Sequence, residues 1–353
     1  MTTELKLLQP LTVGAIELRN RVVMAPMTRS RADDNGLPTD MVTEYYSQRA
    51  SAGLIVSEGT SPSAMGKGYV RTPGIHTDAQ IAAWRKVTDS VHAANGRIFC
   101  QIMHAGRISH PSLLPGGTTP IAPSAVKPQG EVYTDEGMRA YETPRALQTG
   151  EIAGVVAEYA HATRCALDAG FDGVELHAAS GYLPEQFLSS STNLRTDGYG
   201  GSIENRARFA LEVLDAMIGV AGAGRVGIKI APEMGFNDIS DATPQQTFTY
   251  LVDQLDRRGL AYLHVARYGD AVDYFDLLRP RFSGPFFAGN GLTRASGEAL
   301  IRDGKADAAV FGKLFIANPD LPERFRRDAA LNEPDPDTFY SPGPEGYTDY
   351  PAL

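Results

Sequence analysis

The stretch FDGVELHAASGYLPEQF, residues 171–187, decides how the rest of the chain is read. Its first part is a short apolar run that reads as a buried strand, and the run ends in His177 with Ser180 and Tyr182 directly behind it. A histidine and a tyrosine five residues apart are either a polar pair tying down a loop or two reagents held over one substrate. The choice depends on where the strand end points, and therefore on the fold.

Similar runs recur along the chain: RVVMA at 21–25, GLIVS at 53–57, RIFCQ at 97–101, VGIKI at 226–230, AYLHV at 261–265, PFFAG at 285–289 and AAVFG at 308–312, which with GVELH at 173–177 makes eight. Longer segments between them carry helical periodicity. One places Ile81, Trp84, Val87 and Val91 at spacings of three and four; another, from Thr149, ends in Gly170, a residue suited to a left-handed helix stop. A third opens on Ser202 as N-cap, with Asn205 near its first turn and Phe209, Leu211, Val213 and Leu214 as its apolar face. A fourth has Pro244 near its start and Gly259 just past its end.

Short, almost wholly apolar strands separated by helices need burial on both faces, which a parallel sheet provides. Eight such units predict an α/β fold, a closed (β/α)8 TIM barrel whose chemistry sits in the loops after the strands. No GxGxxG follows the first strand, which sets aside an open dinucleotide-binding sheet. The segment LQPLTVGAIELRN ahead of the first strand reads as a small hairpin placed to plug the barrel bottom. After the third strand, prolines and glycines exclude a continuous helix from His104 to Gly150, so a long excursion is expected there. No linker divides the chain, and residues 1–353 are expected to form one domain.

The formal charge of −9 argues against a nucleic-acid surface, which needs concentrated positive charge. No apolar run reaches membrane-spanning length and no signal-peptide pattern opens the chain, so a cytoplasmic protein without a membrane or obligatory protein partner is expected. Cys100 and Cys165 lie in apolar surroundings without CxxC spacing and read as core residues. His104 and His110 sit six apart in a proline-rich loop and no HExxH occurs, so no protein-bound metal is expected.

If the strand ends face one mouth, Thr28, Gln101, His177, Tyr182 and Lys229 converge there, joined by Gly289 and Asn290 after the seventh strand and Gly312 and Lys313 after the eighth. Amide, hydroxyl and cationic groups without a carboxylate pair weaken a glycosidase reading. Glycine amides and an ammonium after the last two strands suit a phosphate.

These residues sit in blocks that resemble the Old Yellow Enzyme family of FMN-dependent ene-reductases, in particular its bacterial branch that reduces N-ethylmaleimide and nitrate esters. The blocks are NRVVMAPMTRSRA, EYYSQRASAGLIVSEGT, HAGRISHP, GFDGVELHAASGYLPEQFLSSSTNLRTDGYGGSIENRARF, FGKLFIANPDLP and FYSPGPEGYTDYP, and they extend over almost the whole chain. The resemblance implies noncovalent FMN, reduced by NADPH or NADH, with NADPH the family-led expectation, and reoxidised by an electron-poor alkene, a nitro compound or a nitrate ester.

Carried onto this chain, the resemblance implies that Pro26, Met27 and Thr28 line the flavin and that Gln101 holds its pyrimidine edge. Lys229 and Lys313 stand where many relatives have arginine, one facing the flavin ring and the other its phosphate beside Gly289, Asn290 and Gly312. His177 would grip the substrate oxygen and Tyr182 would protonate the α-carbon. Tyr69 and Tyr340 match substrate-side or flavin-side aromatic positions; Phe236 and Tyr268 are wall candidates by loop position.

Two departures stand out. Ser180 replaces the usual asparagine or histidine and offers a shorter donor, with Gly181 permitting the tight loop. Met103 replaces a frequent tryptophan and predicts a softer wall. Two other readings fit parts of the sequence: a phosphate-binding lyase or isomerase on the same barrel, and a flavin-binding protein whose catalysis is weakened at Ser180.

Overall fold

The expected closed barrel is present in the computed structural model, which describes residues 5–353. A hairpin of β1 (Leu11–Val13) and β2 (Ile16–Leu18) comes first, followed by β3 (Val22–Met24), α1 (Asp40–Gln48), β4 (Leu54–Val56), α2 (Asp78–Ala93) and β5 (Ile98–Ile102). The long excursion carries two 3-10 turns, Pro111–Leu113 and Pro115–Gly117, and short strands: β6 (Ile121–Ala122), β7 (Glu131–Thr134), β8 (Gly137–Ala140) and β9 (Arg145–Ala146). Then come α3 (Thr149–Asp168), β10 (Gly173–His177), α4 (Leu183–Leu188), α5 (Ile203–Ala221), β11 (Val226–Ile230), α6 (Pro244–Asp256) and β12 (Tyr262–Ala266). The chain closes with α7 (Tyr274–Leu278), β13 (Phe286–Gly289), α8 (Arg294–Arg302), β14 (Ala308–Phe311), α9 (Lys313–Ala317) and α10 (Leu321–Arg327).

Strands β3, β4, β5, β10, β11, β12, β13 and β14 pair in parallel, and β5 returns to β10 to close the ring. Period-two alternation sends Val174 and Leu176, Ile228 and Ile230, and Leu263 and Val265 outward into the shell of helices. Their neighbours point inward, where Val23, Leu54, Phe99, Tyr262, Phe287 and Val310 form a separate cluster. Val13 and Leu18 of the hairpin join that cluster, so the hairpin closes the bottom as its sequence predicted. Large rings meet glycines there: a Cβ on Gly173 would stand 2.4 Å from the Phe99 ring, and one on Gly227 would stand 2.4 Å from the Tyr262 ring.

The helices follow their predicted signals. Ser202 accepts from the Asn205 N–H to cap α5, Gly170 takes φ 91° after α3, and Gly259 takes φ 63° after α6. On α5, Phe209, Val213 and Leu214 are buried, whereas Leu211 is only half-buried; Ala207, Ala210 and Met217 complete the buried face. Ile81 on α2 is likewise half-buried, beneath fully buried Trp84, Val87 and Val91. Cys100 and Cys165 are buried free thiols. Among the described residues, no helix is long and apolar enough to cross a membrane.

Candidate active site

The upper barrel interior is built by register. Gln101 on β5 lies opposite Glu175 on β10, His177 opposite Lys229 on β11, and Lys229 opposite His264 on β12. Glu175 is fully buried and accepts from Gln101 Nε2 at 2.7 Å, while its other oxygen lies 3.2 Å from His264 Nδ1. Both bonds orient their partners. One N–H of the Gln101 amide is committed to Glu175, which leaves its other N–H and its carbonyl oxygen for a ligand, and a His264 ring that donates to Glu175 carries its proton on Nδ1. A Cβ on Gly289 would stand 2.8 Å from His264 Nε2, so glycine is needed where β13 passes this ring.

Burial lowers the Lys229 ammonium below its ordinary range, partly opposed by Glu175. His177 is held well below the usual imidazole range by burial first, then by Lys229 and His264. It is a neutral ring, and its buried Nδ1 has no partner among the described residues. Tyr182 stands edge-on to it, with ring centroids 4.8 Å apart.

The loop behind His177 is held in left-handed conformations. Ser180 has φ 60° and Gly181 φ 77°, and a Cβ on Gly181 would stand 2.7 Å from the Asn237 Cβ. Asn237 Nδ2 donates to the Ser180 carbonyl at 2.8 Å, and Glu185 accepts from the Gly181 N–H at 2.6 Å. The Ser180 hydroxyl donates to Met234 Sδ at 3.3 Å. Burial pushes the Tyr182 phenol up to about 12, a rise that its bond to Tyr69 partly opposes.

A cavity of about 610 Å³ opens above this floor. Pro26, Met27, Thr28, Gln101, Met103, His177, Ser180, Tyr182, Lys229, Phe236, Tyr268, Asn290, Gly312, Lys313 and Tyr340 all line it. Gly289 does not, lying instead beneath it against His264; Tyr69 lines a second chamber of about 750 Å³ that shares Thr28, Tyr182, Phe236 and Tyr340 with the first. Phe236 and Tyr340 belong to the rim, 50% and 62% exposed. Near the end of β13, Asn290 and Gly291 have positive φ, and Gly312 immediately precedes α9. Asn290, Gly291, Gly312 and Lys313 all line the cavity.

Glu175, His264, Gly59 and Phe339 also shape this site, and no motif marks them as site residues in the sequence. Glu175 and His264 were detectable as polar residues in apolar strands, but their pairing depends on register between β10 and β12, which flank β11. Gly59 is needed because a Cβ there would stand 2.6 Å from Met103 Sδ. Phe339 and Tyr340 reach the cavity because buried arginines hold the C-terminal segment. Arg29 and Arg31 donate to the Phe339 carbonyl at 3.1 and 2.8 Å, and Arg31 also donates to the Thr338 carbonyl at 2.8 Å.

A parallel barrel with a cation, an oriented amide and a neutral histidine at one mouth, beside backbone amides and a lysine suited to a phosphate, is the arrangement of a flavin-dependent oxidoreductase. Residues 6–332 match the model of the NADH:flavin oxidoreductase / NADH oxidase family, and the chain belongs to that family. It is 44% identical to 12-oxophytodienoate reductase 1 of Oryza sativa subsp. japonica, over 98% of this chain and 93% of that protein. It is 45% identical to a probable flavin mononucleotide-dependent alkene reductase of Leishmania infantum, over 98% of this chain and 97% of that one. The structure of morphinone reductase in complex with tetrahydroNAD superposes with a TM-score of 0.94 at 50% identity, covering 98% of this chain and 97% of that one. An old yellow enzyme homologue from Zymomonas mobilis superposes at 0.96 with 40% identity, covering 98% and 99%.

The protein is thus an FMN-dependent oxidoreductase of the Old Yellow Enzyme type that draws on a nicotinamide reductant. Its own residues fit that cofactor. The Gln101 carbonyl and Lys229 ammonium suit the polar edge of a flavin ring, and the amides near Gly291 and Gly312, with Lys313, suit its phosphate.

Proposed function

We propose that residues 1–353 work as one FMN-binding unit that reduces activated C=C bonds in enones, maleimides and nitroalkenes, with nitrate esters as a further oxidant class. One observation carries this reading: His177, buried, neutral and unpaired at Nδ1, faces the same cavity as Tyr182, whose phenol stays protonated. The relatives are named as reductases of 12-oxophytodienoate, alkenes and morphinone, in keeping with a conjugated, electron-poor substrate.

When bound, FMN would supply the hydride-transfer chemistry that links a nicotinamide reductant to the β-carbon of the substrate. The neutral His177 ring has one N–H to donate to the substrate carbonyl or nitro oxygen, where negative charge develops. Tyr182 gives its proton to the α-carbon. Lys229 and the Gln101 carbonyl would hold the polar edge of the ring, Lys313 and the nearby amides its phosphate, and Pro26, Met27 and Thr28 one wall. Met103, Phe236, Tyr268 and Tyr340 bound the substrate space, with Tyr69 behind Tyr182.

Purified FMN-loaded protein should bleach with a nicotinamide cofactor and recover its colour anaerobically with 2-cyclohexenone, giving the saturated ketone. Bleaching without recovery across a panel of enones, maleimides and nitroalkenes would refute the alkene-reductase reading.

A further inference from the structure

We propose that Tyr69 resupplies the proton of Tyr182, connecting it to water in the outer chamber. The proposal rests on the reading above that Tyr182 protonates the α-carbon. The two phenol oxygens are 3.0 Å apart, a hydrogen bond between side chains 113 positions apart in sequence. The rings meet edge-on at 82° with centroids 6.4 Å apart, so only the hydroxyl ends come together. Tyr182 borders both cavities, whereas Tyr69 borders only the outer one.

Proton transfer from Tyr182 would strand a phenolate on a side chain that is 7% exposed. Tyr141 and Tyr340 are nearby phenols, but among the described residues Tyr69 is the titratable side chain hydrogen-bonded to the Tyr182 hydroxyl. His177 stands on the substrate side and is neutral, and the Asn237 amide near both hydroxyls can donate a hydrogen bond but not an acidic proton. Burial, and then Tyr182 itself, hold the Tyr69 phenol well above its ordinary range, so both phenols keep their protons and either can donate in the resting pair; once Tyr182 gives its proton up, its oxygen can only accept, and Tyr69 is the donor beside it. Thr72 Oγ1 fixes the Tyr69 backbone by donating to its carbonyl at 2.9 Å.

The proton balance is simple. As hydride reaches the β-carbon, the Tyr182 O–H bond breaks and the α-carbon C–H bond forms. In the same transition state the Tyr69 O–H bond breaks as that of Tyr182 re-forms, so the two protons move together, and a water in the outer chamber afterwards returns a proton to Tyr69. One proton passes from solvent to substrate, and no electrons move in the relay. Tyr69 acts through Tyr182 and touches no reacting atom, which makes it a positioning and proton-supplying residue.

The test is anaerobic reoxidation of the reduced, FMN-loaded enzyme by 2-cyclohexenone in H2O/D2O mixtures, for wild type, Tyr69→Phe and Tyr182→Phe. Wild type should give a curved proton inventory, with two protons in motion. Tyr69→Phe should give a linear one and a rate lower by roughly tenfold, at unchanged FMN content. A purely structural role for Tyr69 would change the rate but leave the curvature. If Tyr69→Phe keeps the wild-type curvature while Tyr182→Phe is slow, the relay is wrong and Tyr182 stands as the acid. If Tyr182→Phe reacts as fast as wild type, the acid assignment fails and the relay fails with it.

Discussion

The two ends of the barrel are made from the same strands and obey opposite rules. Phe99 and Gln101 are two residues apart on β5, as are Gly227 and Lys229 on β11 and Tyr262 and His264 on β12. Two residues along a strand is about 7 Å, and over that distance the interior changes from ring packing to charge. At the bottom, Tyr262 stacks on Phe287 at 4.3 Å and the hairpin seals the layer. At the top, a buried neutral histidine leaves one nitrogen unpaired and a buried lysine is pulled below its usual range. The lower end buries rings and aliphatic side chains and contributes stability, marred only by the unpartnered Tyr262 hydroxyl, whereas the upper end holds an ammonium and a ring nitrogen out of water at a cost.

The largest expected effect lies at the upper end. His177→Ala should slow reoxidation of the reduced enzyme by an enone on the order of a hundredfold, the equivalent of about 3 kcal/mol, by removing a donor to the developing negative charge. Thermal stability should hold or rise, because the change removes a buried polar group with no partner at Nδ1. Stopped-flow reoxidation and a melting curve on the same sample read both. A mutant that melts lower and loses flavin, yet reacts normally when loaded, would make His177 a structural residue and erase the contrast.

The converse belongs to the lower end. Gly227→Ala puts a methyl 2.4 Å from the Tyr262 ring, which is backed by Phe287 and cannot retreat freely. Overpacking of this kind costs about 1–3 kcal/mol. Denaturant unfolding should show that loss, with the FMN potential and the half-reaction rates unchanged. Altered rates at full FMN occupancy would mean that the two ends communicate.

The difference between the ends also explains what could be read from sequence. Strands buried on both faces show themselves by composition alone, so the eight runs were visible, and β10 and β11 have the predicted bounds. Helices α1 and α8 were not singled out, because each is only 9 residues long and shows too few repeats of an apolar spacing to stand out. The residues at the cavity were legible largely through resemblance. What stayed hidden was pairing: Glu175 with His264, Tyr69 with Tyr182, and Ser180 with Met234 are contacts between residues 54 to 113 positions apart. The hairpin of β7 and β8 had a usable signal, with Val132 and Thr134 buried and Glu131 and Tyr133 exposed, then a two-residue turn at Asp135 and Glu136 that enters β8 through Gly137 at φ 96°.

Ser180→Asn probes a smaller term at the upper end. The serine hydroxyl is already engaged with Met234, and its φ of 60° is a conformation that asparagine tolerates better than serine. Asparagine should therefore leave stability intact and add a second donor toward the substrate oxygen. The gain is expected at about 1–2 kcal/mol, or roughly five- to thirtyfold in enone reduction, and less for a nitroalkene that is already electron-poor. Rates with both oxidants, taken with the melting temperature and FMN content, check this. Equal acceleration of both oxidants, or of neither, in a stable and fully loaded mutant would sink the missing-donor account.

The smallest expected effect is a flat line. Burial, with Lys229 and His264, depresses His177 well below the ordinary imidazole range, and burial raises Tyr182 to about 12. A base with a depressed folded pKa is neutral above its ordinary value near 6.5, and the stability tied to that neutrality is lost only as pH falls below it. The neutral donor and the protonated phenol therefore coexist across neutral pH. Reoxidation by 2-cyclohexenone should vary by less than about twofold between roughly pH 6.5 and 8, where an ordinary histidine would titrate. Lys229→Met tests the cause: removing the second-largest depressing influence should raise the His177 pKa and bring an acid limb into the lower part of the accessible range. A limb near pH 6.5 in wild type that disappears in His177→Ala would show that the ring titrates like an exposed histidine, and the contrast between a packed lower end and a desolvated upper end would lose its electrostatic half.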